Sequence, residues 1–229
     1  MGSKMVSPFC IMDFETGGLK STKNPVTEVA MIGITGDTLE EVCRHEAYLQ
    51  HNYSPLLEYE QKALDITGIK IEDLVELGIN AKEFMEKMVD IWVQTNKTAV
   101  GKFSKTIIVG HNITFDIDFL IALAEHTKTD LSKYLAGRQT HHGKFEPQYL
   151  DTLNLARMKW QDDEMMDNFK LNTCVEKSGF ELADAHRAMN DVIANKELFL
   201  SMVNDFRFGT GEGGIKINKK IRFRNHFQF

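Results

Sequence analysis

The sequence predicts an α/β protein, a mixed β-sheet flanked by helices. Three strand-like segments come first, joined by short links, and the rest of the chain alternates strand with helix. The run "TIIVG" (106–110) is apolar throughout, as a strand buried on both faces should be, and a helix-spaced stretch follows it at once. The order of the strands in the sheet stays open at this point.

Residues 8–14 read as the first strand. "VTEVAMIGIT" (26–35) and "EEVCRHEAYL" (40–49) read as two more, turned at Gly36-Asp37, so the three form an antiparallel meander. "YEQKALDITGI" (59–69) predicts a short helix ending near Gly68. Residues 80–96 carry apolar side chains at 84, 85, 88, 91 and 92, which is helical spacing, with Asn80 as N-cap. After the 106–110 strand, "ITFDIDFLIALAEH" (113–126) predicts a helix with Thr114 near its start, contributing Phe115, Phe119 and Leu120 to the core. Residues 137–147 read as a loop. Residues 149–160 and 169–180 read as helical segments around an acidic link, and 185–206 as a long helix with its entry. The chain thus divides into a domain over 5–206, a glycine-rich linker over 207–214 and an amphipathic tail over 215–229.

Composition limits what such a domain does. With 42% hydrophobic and 26% charged residues among 229, this is ordinary globular material. No apolar run reaches the length of a membrane span, and residues 1–10 lack the apolar segment of a signal peptide. Met1-Gly2-Ser3 looks like an expression remnant before Met5. Cys10, Cys43 and Cys174 are odd in number and have no CxxC spacing. They argue for a reducing cytoplasm and against a disulfide framework or zinc site. His141-His142 reads as a surface pair. The net charge of −6 argues against a blanket polyanion binder. The five cations of the acid-free segment 215–229 take the remainder from −6 to −11, so any attraction to polyanions must be local.

The chemistry begins at "IMDFETGGL" (11–19). Period two points Asp13 and Glu15 the same way at the end of a buried strand. Like charges so placed resist ionisation, and a cation between them removes the conflict. Oxygen ligands suit Mg²⁺ or Mn²⁺. A merely solvated acidic strand end reads the same way locally. Asp116 falls in the first turn after "VGHN", where an acid also suits a helix N-terminus on its own account. Asp118 is rotated about 200° from it and cannot serve the same site. Asp191 lies in the long helix. His186, five residues earlier, would not share its helical face and so belongs to the entry loop or a distorted first turn; a lone surface histidine is the plainer reading.

Together "DFET", "HNITFDIDFL" and "HRAMND" resemble, in order, the three motifs of the DEDDh exonucleases, the DnaQ-like group of the RNase H-like fold. "YLDTLNLAR" resembles the segment that group carries between its second and third motifs. The resemblance covers Phe9 to about Phe206. It implies that Asp13, Glu15, Asp116 and Asp191 hold two divalent ions, Mg²⁺ or Mn²⁺, per active site. It makes His186 the general base. Thr16 would contact the 3′-terminal nucleotide, and Leu19 would lie near the terminal bases. The family's usual second threonine is Gly17 here, which removes a side-chain contact and leaves the metal ligands untouched.

The implied activity is metal-dependent 3′→5′ hydrolysis of single-stranded DNA or RNA ends to nucleoside 5′-monophosphates, for proofreading, repair or degradation. An RNA-trimming exoribonuclease is one alternative. A non-catalytic nucleic-acid-binding module is another, disfavoured by the intact acids. No polymerase segment is visible, so proofreading would need a polymerase partner. In the tail, apolar Ile215, Ile217, Ile221, Phe223, Phe227 and Phe229 alternate with basic Lys216, Lys220, Arg222 and Arg224. That is a strand with one apolar and one basic face, suited to a sheet edge and to nucleic acid or a protein partner; an unanchored basic tail is the alternative.

Overall fold

The computed structural model describes residues 4–102, 104–180 and 187–209. Strands β1 (Phe9–Thr16), β2 (Val26–Ile34) and β3 (Glu41–Tyr48) form the antiparallel meander. Two short helices, α1 (Gln61–Thr67) and α2 (Ile71–Glu76), lead to α3 (Ala81–Asn96). Gly68 closes α1 in the left-handed region at φ 68°, a conformation that costs glycine little. Asn80 caps α3 by accepting the Glu83 amide at 3.1 Å.

Strand β4 (Ile107–Gly110) runs into α4 (Thr114–Thr127). A hairpin of β5 (Gly137–Gln139) and β6 (Phe145–Pro147) precedes β7 (Tyr149–Asp151). Helices α5 (Thr152–Trp160), α6 (Leu171–Lys177) and α7 (Ala188–Phe208) complete the order. The main sheet is ordered β3-β2-β1-β4-β7, with β1, β4 and β7 parallel. This is the mixed sheet of an RNase H-like fold.

Both faces of the sheet are covered, which fixes the direction of every β1 side chain. Cys10, Met12 and Phe14 pack with Phe84, Trp92 and Phe119 under α3 and α4. Ile11 packs with Ile32, Val109, Val192 and Phe199 under α7. Asp13 and Glu15 continue the Ile11 face past the end of the apolar run, toward the start of α7. All nine β2 residues are buried, as a central strand requires. At Gly33 a Cβ would lie 2.1 Å from Thr95 Oγ1, so the missing side chain lets α3 sit tightly on β2.

Three elements differ from the sequence reading. Helix α2 spans only six residues, too few to display a period. The expected loop over 137–147 holds the β5–β6 hairpin. Tyr149–Asp151, read as helical, is an edge strand paired to β4. Its pairing comes from a neighbour forty residues away, and local periodicity cannot report that. Helix α7 also extends to Phe208, where Arg207 donates to the carbonyls of Gly36 and Asp37. Residues 215–229 lie outside the described residues. Among those described, no helix is long and apolar enough to cross a membrane.

Candidate active site

Strand β1 outruns β4: their pairing ends at Ile11 with Val109, and the chain turns away through Gly110 into α4. A Cβ on Gly110 would meet Ile113 at 2.2 Å, so only glycine allows so close a turn. The vacated edge of β1 is filled by a side chain. Asp116, in the first turn of α4 and 3% exposed, accepts the Phe14 amide at 2.9 Å through Oδ1. It therefore closes a backbone hydrogen bond as well as adding charge. Asp118 is exposed on the opposite side of the helix, as its rotation requires.

Asp191 stands in the first turn of α7. Asp13, Glu15 and Asp191 each place a carboxylate oxygen within 4.8 Å of the others. Burial raises the pKa of Asp13 well above the usual carboxylate range, and repulsion from Asp116, Glu15 and Asp191 adds to it. Burial, then Asp191 and Glu28, push Glu15 up to about 8. Burial carries Asp116 to about 7 against the lowering effect of the Phe14 amide. Such carboxyls hold protons near neutrality unless a cation replaces them. The donor set is all oxygen, crowded and acidic, and fits a hard divalent ion.

A fifth acid stands behind the cluster. Glu28, opposite Glu15 across β1–β2 and 1% exposed, accepts the Ala188 amide at 3.4 Å through Oε2. Its Oε1 accepts no hydrogen bond among the described residues and faces the Arg187 guanidinium at 3.5 Å. Arg187 also donates to the Tyr48 hydroxyl at 3.0 Å. Strands β2 and β3 thereby grip the chain at the entry of α7, one residue after His186 and four before Asp191. In the sequence "VTEVAMIGIT" an acid within a buried run was the available signal for Glu28.

Asp151 performs a similar service at β7. Its Oδ1 caps α5 through the Leu153 amide and accepts the Asn112 amide, each at 2.9 Å. Asn112 itself sits at φ 61°, a conformation asparagine tolerates. The "DT" pair before a helix-spaced run is a readable N-cap signal.

The structure thus brings together Asp13, Glu15 and Asp191, with Asp116 beside Asp13 on the Phe14 amide and outside the group whose oxygens lie within 4.8 Å of one another. Thr16 is buried, and its hydroxyl donates to the Gly18 carbonyl at 2.7 Å, leaving only lone pairs for another group. Leu19 is 76% exposed. The glycine at 17 has a physical reason: a Cβ there would lie 2.9 Å from the Tyr59 ring and 3.0 Å from Pro25. His186 lies outside the described residues, as do Lys216, Lys220, Arg222 and Arg224.

A strand-borne acid pair, met by acids from two helix starts at the edge of an RNase H-like sheet, offers an all-oxygen donor set suited to a divalent metal ion. The exonuclease family model, RNase_T, matches residues 10–199. The chain belongs to this DnaQ-like exonuclease family and is a nuclease-type hydrolase. That family uses divalent metal ions. The PolC-type DNA polymerase III of Caldanaerobacter subterraneus subsp. tengcongensis is 26% identical over 214 residues, 93% of this chain and 12% of that protein. The Bacillus subtilis PolC-type enzyme is 25% identical over 214 residues, again 93% and 12%. The chain thus spans about an eighth of the length of these relatives. Among solved structures, E. coli Exonuclease I in complex with a dT13 oligonucleotide superposes with a TM-score of 0.67 at 19% identity, over 88% of this chain and 41% of that one. At that identity the likeness establishes the fold.

Proposed function

We propose that this chain is a 3′→5′ exonuclease acting on single-stranded DNA ends and releasing nucleoside 5′-monophosphates. The observation that carries the reading is the convergence of Asp13, Glu15 and Asp191 oxygens within 4.8 Å, with Asp116 repelling Asp13 from beside it. The oligonucleotide held by Exonuclease I and the polymerase context of the PolC relatives favour DNA.

Asp13, Glu15, Asp116 and Asp191 would hold two Mg²⁺ or Mn²⁺ ions. When bound, these supply the positive charge that makes water nucleophilic and offsets the leaving 3′-oxygen. The chain's own residues do the rest. Asp116, tied to β1, fixes the spacing between α4 and the Asp13–Glu15 pair. Glu28 and Arg187 fix the entry to α7, which orients Asp191. His186, covalently next to that anchor, takes the water's proton on a ring nitrogen; an ordinary imidazole with pKa about 6.5 is free to do so near neutral pH. Thr16, with lone pairs free, accepts from the terminal sugar hydroxyl. Leu19 lies against the terminal base. The working domain is 5–206, followed by linker and tail, and the tail contacts nucleic acid or a protein partner such as a polymerase. Three free cysteines suit a reducing cytoplasm.

The test uses matched 5′-labelled single-stranded DNA, RNA and duplex, with Mg²⁺, Mn²⁺ or EDTA. A ladder shortening from the 3′ end of single-stranded DNA, abolished by EDTA, supports the reading. Internal cuts, 5′ shortening or full turnover in EDTA refute it.

A further inference from the structure

A groove of about 700 Å³ opens from Asp13 and Asp191 toward α5 and α6. It lies within the ~300–1,000 Å³ of small-ligand pockets. Neither Glu15, Thr16 nor Leu19 lines it, so its walls are separate from the residues assigned to the 3′-terminal nucleotide. Its far wall is the segment from Phe169 to Asn172, and α5 contributes Arg157.

The wall is fixed from behind. Half-buried His111 directly follows β4. Its Nε2 meets the Phe169 carbonyl at 2.8 Å, and because a carbonyl only accepts, that nitrogen carries the proton. Its Nδ1, left as an acceptor, lies 3.0 Å from Thr152 Oγ1, and Asn195 Oδ1 on α7 lies 2.7 Å from the same hydroxyl, whose single proton serves one of the two at a time. The ring thus ties the end of β4 to the groove wall and sets it against α5. The Lys170 amide donates to Asn168 Oδ1 at 2.9 Å, which orders the same turn.

Arg157 and Lys170 are exposed on this groove, and neither forms an ion pair among the described residues. Their neighbours behave differently. Lys159 pairs with Asp205, Lys177 with Asp163, Lys196 with Glu41 and Arg187 with Glu28. Cations meant to neutralise the acid cluster would touch it; these two face the groove instead. Two unpaired cations beside a cluster that repels anions provide local attraction for a polyanion in a chain of net charge −6.

We infer that Arg157 and Lys170 hold the phosphodiester on the 5′ side of the scissile phosphate, so that the groove is the strand's path away from the acid cluster. This rests on the exonuclease reading above. With the scissile phosphate on the acids and the terminal nucleotide beyond Glu15, the groove receives the next nucleotide. The ligand is an internal phosphodiester, recognised by charge and therefore without regard to base. Half-buried Phe169 lines the same groove.

The experiment compares two substrates. A short 5′-fluorescein-labelled oligothymidylate fills the groove. The p-nitrophenyl ester of thymidine 5′-monophosphate has a nitrophenol leaving group in place of the next nucleotide and lacks that phosphate. Arg157→Ala with Lys170→Ala should raise KM for the oligomer about tenfold per contact. It should lower the log–log salt slope by about 0.7 per contact. Hydrolysis of the p-nitrophenyl ester should stay unchanged, and Arg157→Lys should restore most of the loss. Anisotropy of the labelled oligomer in EDTA gives the same comparison without turnover. Unchanged oligomer affinity and salt slope overturn the groove assignment, and so does an equal loss on both substrates. A wild type that binds the oligomer through these residues but shortens it from the 5′ end leaves the groove standing and refutes the 3′→5′ reading.

Discussion

Replacing Glu15 with glutamine should stabilise the metal-free protein, increasingly so as pH rises. Burial and the neighbouring acids raise its pKa from the ordinary 4.5 to about 8. Between those values the folded protein keeps a proton that the unfolded chain has released. Folding therefore loses ground as pH climbs through this window, and the loss is complete above the folded-state value. At ~1.4 kcal/mol per pKa unit the full penalty near pH 9 approaches ~5 kcal/mol. Glu15 keeps partial access to water, and relaxation leaves about 2 kcal/mol as the working figure. For a domain of this size that is roughly 4–8 °C in Tm. Glutamine carries no charge at any pH, so its advantage should vanish near pH 5 and reach that size near pH 9. Thermal melts of both proteins in EDTA at the two pH values measure it. Adding Mg²⁺ should close the gap, because a bound cation stabilises the wild type by mass action and the variant less. A gap independent of pH, or a variant melting below wild type throughout, would refute a destabilising carboxylate cluster.

Asp116→Asn should abolish cleavage and leave the EDTA-state fold intact, because the amide oxygen still accepts from Phe14. Asp116→Ala should lose about 1–3 kcal/mol in denaturant melts through the orphaned amide; equal stability of the two variants would contradict the structural half of its role. His186→Ala should cut turnover by ~10²–10⁴-fold with metal affinity retained in calorimetry, and turnover restored by excess metal would recast His186 as a ligand. Arg187→Ala should destabilise by about 1–2 kcal/mol, the half-exposed guanidinium limiting the loss, and adding Glu28→Gln should recover most of it. Strict additivity of those two substitutions in melts would show that the pair is not coupled. Truncation after Gly214 should weaken single-strand binding and flatten its salt dependence by about 0.7 per lost contact; an unchanged slope would remove the tail's basic residues from the substrate path.

The placement of Asp13, Glu15 and Asp116 was legible because each depends on a local rule, whereas Asp191 came from the family resemblance alone. Strand parity put Asp13 and Glu15 together, and helical rotation separated Asp116 from Asp118. The fold class followed from the succession of strands and helices along the chain. What stayed hidden depends on partners distant in sequence. Three residues at Tyr149–Asp151 become a strand only because β4 is there to pair with. Glu28 looks like a stray acid in a buried strand until α7 brings Arg187 to it across about 160 positions. Gly17 read as a missing threonine, and the reason for it is a tyrosine forty-two residues on.

The same contrast explains how a repelling cluster can be built into a stable fold. Asp116 and Asp191 each occupy the first turn of a helix, where unpaired amides and the helix dipole favour negative charge. Asp116 gains in addition the Phe14 amide and its own backbone amide. Asp13 and Glu15 have no such support, since their strand amides are spent on the sheet. The helix starts therefore bear half of the charge at reduced cost, and the strand end bears the half that burial leaves uncompensated. Asp13, raised well above the usual carboxylate range, has every other acid of the cluster as a neighbour and also lines the groove with Arg157 and Lys170. Glu15 lies off the groove wall. Its glutamine variant should therefore retain oligomer affinity in EDTA while losing catalysis, and an oligomer affinity that fell with it would place Glu15 in the strand's path after all.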